Sequence, residues 1–525
     1  MTAAPGVIPY RLWVGVTGHR RIADATRLPQ VLDHLLDRIL ATVPASAQTP
    51  LRLGVVSPLA EGADRLVAKA ILRHPDATLE VALPLPPEDY KKDFATEESR
   101  QEFDELLKQA QLVTVLPQVG DRQDAYQRVG QYVVNRSDVV IAVWDRMPSR
   151  GKGGTAEIVA HARDRGAPLF VVAPHGEHAV EDEPGDGFPI DEYREIDDFN
   201  SNKIAPAEFT TEIARQTDQL LECSRDVGLS DEAVRPYLDW SVPHLVRADH
   251  LARRYQRHYV RLGNLLFGGT FLAVAAAAAQ TMLSAPRVLA LLEGLLMAVL
   301  LVAVIYARRR RVHARWISYR RLAERFRIAL FQGIAALGMS RLVGWDRIDI
   351  DPPRDWVRRL FEEVWISRPT EAVACSAPTQ LRDFLLRAWL DDQFAYHLRT
   401  VRRYERRDRV LIRVVAALVG VTLVVALIRG IPASDRVAPM LLLLATTAPA
   451  LATALSGIRA QREFLRNAEN SRQMANHLKV LRRRMAMASD LPAIQNLTHT
   501  MGLLMLDENQ DWYATMEPHD LEMPV

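Results

Sequence analysis

Cysteine is nearly absent from this chain. Cys223 and Cys375 are the only two in 525 residues, and no paired spacing links them. Neither a disulfide framework nor a cysteine-based zinc site is expected, and a reducing compartment fits. An excess of either charge is missing too: 66 Lys and Arg offset 64 Asp and Glu, so no nucleic-acid partner is expected. Residues 1–9 hold no basic region followed by an apolar stretch, and no cleaved signal is expected. There is no GxSxG elbow and no HExxH helix. A P-loop ending at Lys152 would need glycine at 146 and Ser or Thr at 153, where Arg146 and Gly153 stand. His175 and His178 lie in an acidic loop without further ligands nearby, so no metal site is expected.

Long apolar runs, by contrast, are present in number. Residues 262–286, 288–307, 410–431 and 437–458 carry few charges: Glu293 in the second, and Arg413 and Arg429 near the ends of the third. A helix crossing a hydrocarbon core needs ~20 apolar residues, which predicts four spans in two tight hairpins, the third with terminal arginines reaching the interfaces. The mean hydropathy of −0.07 conceals this because charged helices dilute the runs. Arginines crowd the outer flanks of each hairpin, at 253–261, 308–315, 402–409 and 459–466, while only Arg287, Arg429 and Arg436 lie between paired runs. The positive-inside bias therefore predicts a multi-pass membrane protein with both termini cytoplasmic. Asn264, Gln280, Glu293, Thr446, Thr447 and Thr453 are polar groups inside the runs, and must face a bundle interior or an aqueous path.

Residues 8–175 alternate short apolar runs with helical stretches. Strands are predicted at 12–16, 51–56, 79–83, 112–116, 139–143 and 169–173, and their continuous apolar character points to a parallel sheet buried on both faces. The fold class is thus α/β, a doubly wound, Rossmann-like parallel sheet, followed by an α-helical membrane part. In such sheets ligands bind beyond the C-terminal strand ends. There lie Thr17, Gly18, His19 and Arg20 after the first strand, and Ser57, Glu61, Gly62 and Asp64 after the second. Asp145, Gly151, Lys152, Gly153, Gly154, Thr155 and Glu157 follow the fifth. Glycines allow close backbone approach and helix-start amides favour phosphate, so a phosphate-bearing small molecule is the expected ligand.

These motifs, with PLPPEDYKKDF at 84–94 and YVVNRSDVVIAVWD at 132–145, resemble the SLOG superfamily of Rossmann-like nucleotide-ligand domains. The resemblance implies an NAD-related or cyclic ADP-ribose-like ligand and a role in bacterial defence. It also implies relatedness to phosphoribohydrolases whose signature reads PGGxGTxxE. Gly151, Gly154, Thr155 and Glu157 align with that signature, whereas Lys152 replaces a glycine, and Arg128 and Arg136 lack the surroundings of the hydrolase arginine motif. Catalysis is therefore not assigned; Glu61 and Glu157 are held as candidates for it, and Asp145 with them as a carboxylate that could contact a ribose or act as acid or base.

Residues 176–230 read as an acidic linker and connecting helix, 231–345 as a first helix, hairpin and helix unit, and 346–525 as a second. Trp316, Tyr319, Leu322, Ala323, Phe326 and Leu330 give the helix after the second run one apolar face. Ala395, His397, Leu398, Tyr404 and Arg406 echo Ala248, His250, Leu251, Tyr255 and Arg257, and duplication is the simplest account. Both units resemble SLATT-type two-helix membrane domains, which implies an oligomeric effector in the lipid bilayer. Three functions stay open: a sensor that gates its membrane module, a membrane-tethered nucleotide or NAD hydrolase, and an anchored scaffold.

Overall fold

The computed structural model describes residues 7–22, 26–118, 120–148, 152–174, 180–280, 286–336, 355–369, 377–431 and 437–516. Two compact units divide the chain: Met1–Lys203 with Asp349–Ser367, and Ile204–Ile348 with Arg368–Val525.

In the first unit the chain forms, in order, β1 (Tyr10–Gly18), α1 (Leu28–Thr42), β2 (Leu51–Ser57), α2 (Ala63–Leu72), β3 (Thr78–Leu83), α3 (Pro87–Tyr90), α4 (Glu97–Gln109), β4 (Leu112–Val115), α5 (Arg122–Arg136), β5 (Val139–Val143), α6 (Thr155–Asp164), β6 (Leu169–Val172), β7 (Glu181–Glu183) and α7 (Ile190–Ser201). The sheet runs β4-β3-β2-β1-β5-β6-β7, with every pairing parallel except β6 to β7. All six expected strands form. β3, β5 and β6 are buried at every residue, as their apolar runs require. β4 departs from that expectation: as an edge strand it alternates, leaving Val113 and Val115 exposed.

The segment read as an acidic linker supplies the other edge. β7 pairs with β6, and its carboxylates meet Arg146, Arg38 and Arg163 through Glu181, Asp182 and Glu183 respectively. A charged, three-residue edge strand suits a position where longer apolar strands would invite pairing with another chain. α7 then buries Tyr193, Ile196 and Phe199, so the boundary of this unit falls near residue 203 rather than 175.

The second unit comprises α8 (Pro206–Asp226), α9 (Asp231–Gln280), α10 (Pro286–Arg309) and α11 (Val312–Ile334), and after an intervening helix α12 (Trp356–Ile366) that belongs to the first unit, α13 (Pro378–Leu385), a π-helical turn (Leu386–Asp391), α14 (Asp392–Ile428), α15 (Val437–Gln461), α16 (Phe464–Met487) and α17 (Leu491–Met516). The sequence reading places α12 in the second hairpin unit. It lies instead with the sheet, for a reason written in its charges: Arg359 is bidentate to Asp138 and pairs with Glu192 at 2.8 Å, Glu363 pairs with Arg11 at 2.7 Å, and Glu362 with Arg136 at 2.7 Å, all buried. Such charges are stable out of water only with partners, and the partners are on the sheet.

Among the described residues, four helices are long and apolar enough to cross a membrane. α9 has 50 residues, about 75 Å of helix, so an apolar C-terminal half is preceded by a polar half that a ~30 Å hydrocarbon core cannot contain. The apolar windows are only 6–22% buried within the chain, leaving Leu291, Leu295, Val302, Leu423 and Leu427 among the exposed side chains. The architecture repeats. Each second apolar helix ends at a non-glycine residue in the left-handed region, Arg311 (φ 46°, ψ 42°) and Glu463 (φ 45°, ψ 43°), and a polar helix then folds back along the first: α11 along α9, and α16 along α14. The apolar face expected on α11 is buried there, with Tyr319 edge-on to Tyr255 at 5.4 Å. Gly457 lets the hairpins approach: a Cβ there would stand 2.3 Å from the Phe267 ring.

Polar groups inside the apolar runs find local partners. Gln280 donates to Glu293 at 2.8 Å, and the hydroxyls of Thr446 and Thr447 bond back to the carbonyls of Leu442 and Leu443. Asn264 accepts from Arg462 at 2.5 Å.

Arg359→Met is expected to destabilise the first unit by about 3–5 kcal/mol, because it strands Asp138 and Glu192 in the interior. Arg38→Met, which breaks the exposed pair with Asp182, is expected to stay within ~1 kcal/mol. Denaturant unfolding of the detergent-solubilised protein, followed by the fluorescence of Trp13 and Trp356, checks the contrast.

Candidate functional site

The strand order reverses between β1 and β5, and such a reversal opens a crevice beyond the C-terminal strand ends. A cleft of about 560 Å³ lies at that point. Of the residues expected from sequence, Thr17, Gly18, His19, Arg20, Asp64, Asp145, Gly153, Gly154 and Thr155 line it. Ser57, Glu61, Gly62, Lys152 and Glu157 do not, and Gly151 lies outside the described residues, as do His175 and His178.

The residues that miss the cleft build its walls. Ser57 is buried and accepts from the Leu59 amide at 3.0 Å. Glu61 turns to α4, accepting from Ser99 Oγ at 2.5 Å and the Ala95 amide at 3.0 Å. Glu157 accepts from the Gly153 amide at 2.7 Å and from Gln127 at 2.5 Å, pinning the loop before α6 to α5. Lys152 pairs with Asp124 at 3.1 Å. Glu61 and Glu157 thus serve loop geometry, whereas Asp145 lines the cleft. Gly62 is required by its backbone: φ is +84°, and a Cβ would lie 2.4 Å from the His19 carbonyl that caps the Ala63 amide. Arg136, in the region of the hydrolase arginine motif, is buried against Glu80 and Glu362, and Arg128 donates to the Pro117 carbonyl.

Inside the cleft, charges of both signs face one another. Arg20 stacks over Tyr126 at 4.9 Å from the ring centroid. Asp145 sets its amide nitrogen 3.1 Å and its Oδ1 3.0 Å from His19 Nε2. Partial desolvation works against ionisation of Asp145, but the Met147 amide and His19 prevail and hold its carboxyl below the usual range. Asp64 behaves oppositely. Burial drives its pKa up to about 7, against the Ala60 amide and the nearby Arg20 and Arg65, which favour the charge. Burial, together with Asp64, also pushes the Tyr90 hydroxyl up. The cleft therefore brings the start of α6, at Gly154, Thr155 and Ala156, together with Arg20, Arg21 and the Asp64 carboxyl.

Tyr90, Tyr126 and Trp144 also line the cleft, beyond the residues expected from sequence. Tyr90 and Trp144 do fall within the PEDYKKDF and VVIAVWD stretches, which was a legible signal; Tyr126 arrives from the middle of α5 and nothing in its surroundings marks it. No protein-family model matches the chain, and no curated protein matches it at a meaningful level of similarity. Among the described residues no group of three or more His, Cys, Asp and Glu could hold a metal ion.

Asp64 provides a pH test. A carboxyl whose folded pKa is raised contributes its stability fully below its unfolded pKa of about 4, and that contribution is lost as pH rises through about 7. Asp64→Asn, which mimics the protonated form, is expected to melt higher than the parent protein at about pH 8 and at the same temperature near pH 4. A gap that does not change with pH would contradict the assignment.

Proposed function

We propose that the cleft binds a phosphate-bearing, nucleotide-derived small molecule, NAD-related or similar to cyclic ADP-ribose, and that the protein is a bacterial inner-membrane effector of the SLOG type. In this reading the α/β head is doubly wound and Rossmann-like, a view supported by the strand reversal at β1 and β5 and by strands buried along their length. One observation carries the proposal: the loop after β1, with Arg20, converges on the glycine-bearing start of α6 in a crevice of small-molecule size. Tyr90, Tyr126 and Trp144 offer aromatic surface for a base.

Chain connectivity supports a route from ligand to membrane. α12 is tied to Arg11 near the start of β1, to Arg136 at the end of α5 and to Asp138 just before β5. The opposite ends of β1 and β5 lead to His19 and Asp145, and α5 carries Tyr126, so α12 and the cleft share three elements. α12 also stands in the chain between the two hairpins. A ligand that prefers one arrangement of these elements biases both hairpins through the chain, in an oligomer of this module.

The hydrolase reading keeps one observation in its favour, a cleft carboxyl, Asp64, that titrates near neutrality as a general acid or base would. Adding a panel of nucleotides, NAD and cyclic ADP-ribose to the full-length protein in proteoliposomes separates the two. The effector reading expects one ligand to bind intact and to release a trapped dye, and expects Gly154→Asp, which puts a carboxylate at the start of α6, to abolish both effects while leaving insertion unchanged. Cleavage of the ligand with no change in permeability, lost in Asp64→Asn, would replace it with the hydrolase.

The orientation has its own test. With Cys223 and Cys375 changed to serine, single cysteines at Arg287 and Gly430 should react with an impermeant thiol reagent on intact cells, and one at Lys108 should not. Labelling at Lys108 would reverse the topology.

A further inference from the structure

The two hairpins begin alike, with arginine-rich helix ahead of an apolar run, yet their arginines are neutralised differently. Ahead of the first run, α8 and the helix itself supply acids. Asp249 pairs with Arg253, Glu212 holds Arg215, and Glu208 stands 3.5 Å from His250; these residues surround the space beside Arg253 and Arg257. Ahead of the third run, the first of the second hairpin, the acids nearest the arginines are engaged elsewhere. Asp408 is buried and committed to Arg459 at 2.6 Å, and Glu405 is held by Arg472. Arg402, Arg403, Arg406 and Arg407 are exposed and make no ion pair among the described residues.

These four arginines are not scattered. With Arg462, they line a pocket of about 710 Å³ together with Val410, Leu411, Ile458 and Phe464, Val410 and Leu411 standing one turn beyond Arg406 and Arg407 on α14. Spacings of four on α14 set Arg402 over Arg406 and Arg403 over Arg407, so two columns of guanidinium groups face the opening. Like charges held this close repel one another unless an anion enters. The apolar wall continues directly into the run at 410–431, which a soluble anion has no use for.

We propose that this pocket is a binding site for an anionic phospholipid, the guanidinium groups holding its phosphate and Val410, Leu411 and Ile458 receiving the start of its acyl chains. The assignment rests on the reading that α14 and α15 span a membrane with their arginine-bearing ends at the cytoplasmic face. At that depth the pocket mouth meets the headgroup layer, and guanidinium can grip a phosphate bidentately where an ammonium acts as a point charge. The first hairpin, where Glu208, Glu212 and Asp249 stand beside Arg253 and Arg257, has less need of one. One lipid per chain, held at the second hairpin alone, follows.

Native mass spectrometry of the full-length protein in neutral detergent, with phosphatidylglycerol or phosphatidylcholine added, tests the site, and liposome flotation tests the spanning. The parent protein is expected to float with liposomes and to retain phosphatidylglycerol over phosphatidylcholine. Arg406→Gln with Arg407→Gln is expected to lower that retention on the order of tenfold, with the lysine counterparts intermediate and Arg253→Gln with Arg257→Gln unchanged. Flotation with equal phosphatidylglycerol retention in both glutamine pairs would overturn the site while sparing the spanning. Failure of the parent protein to float would overturn both. Retention of glycerol phosphate as firm as that of the intact lipid would make the site one for a soluble phosphate and overturn the lipid assignment.

Discussion

The buried charges around α12 are the constraint on which the first unit depends. Three acids and three arginines, Glu362, Glu363 and Asp138 with Arg136, Arg11 and Arg359, meet inside a sheet domain, and none can be left alone there at tolerable cost. Burial opposes the charge on Glu362, yet Arg136 and Arg358 keep its carboxyl below the usual range. The same pairs fix the order of assembly in space. A helix that follows the first hairpin in the chain has to lie against β1 and α5, so the sheet domain is complete only after the first hairpin has been made. It also means that the chain passes between the two units three times.

The second unit obeys a different rule. Its apolar helices bury little within the chain, so their outward side chains require lipid or another copy, while Gln280, Glu293, Thr446 and Thr447 on them find partners within their own hairpin. The left-handed breaks at Arg311 and Glu463 recur at the same place in each half, just where the apolar helix gives way to the polar one. A residue with a Cβ at φ near 45° costs energy, and its appearance twice is readily understood if both halves must turn back on themselves within one residue. What distinguishes the halves is charge: acids on α8 answer the first arginine cluster, and the second is left open.

Much of the sheet and most of the cleft could be read from sequence. Six apolar runs became six strands, and nine of the expected site residues came together because each followed a strand whose C-terminal end faces the crevice. The failures have specific causes. Glu61 and Glu157 sit beside cleft residues in the chain, but the turn before α2 carries Glu61 to Ser99 on α4, and the about 100° step between successive residues of α6 turns Glu157 to Gln127 on α5. Acidic composition at 181–183 and 190–201 suggested a linker; the carboxylates are numerous there because arginines on α1, α6 and α12 need them. β4 reads like a buried strand, and only its position at the sheet edge exposes half of it.

Local pattern alone therefore determined where strands, apolar helices and glycine-bearing loops occur, because periodicity, length and backbone freedom are properties of short segments. Partnership was decided elsewhere. That Asp64 would be desolvated to a pKa of about 7 while Asp145 stays ionised, that Tyr126 would stand under Arg20, and that α12 would belong to the sheet all depend on contacts between residues far apart in the chain. Desolvation and ion pairing are set by the surroundings of a group, and those surroundings exist only once the chain has folded.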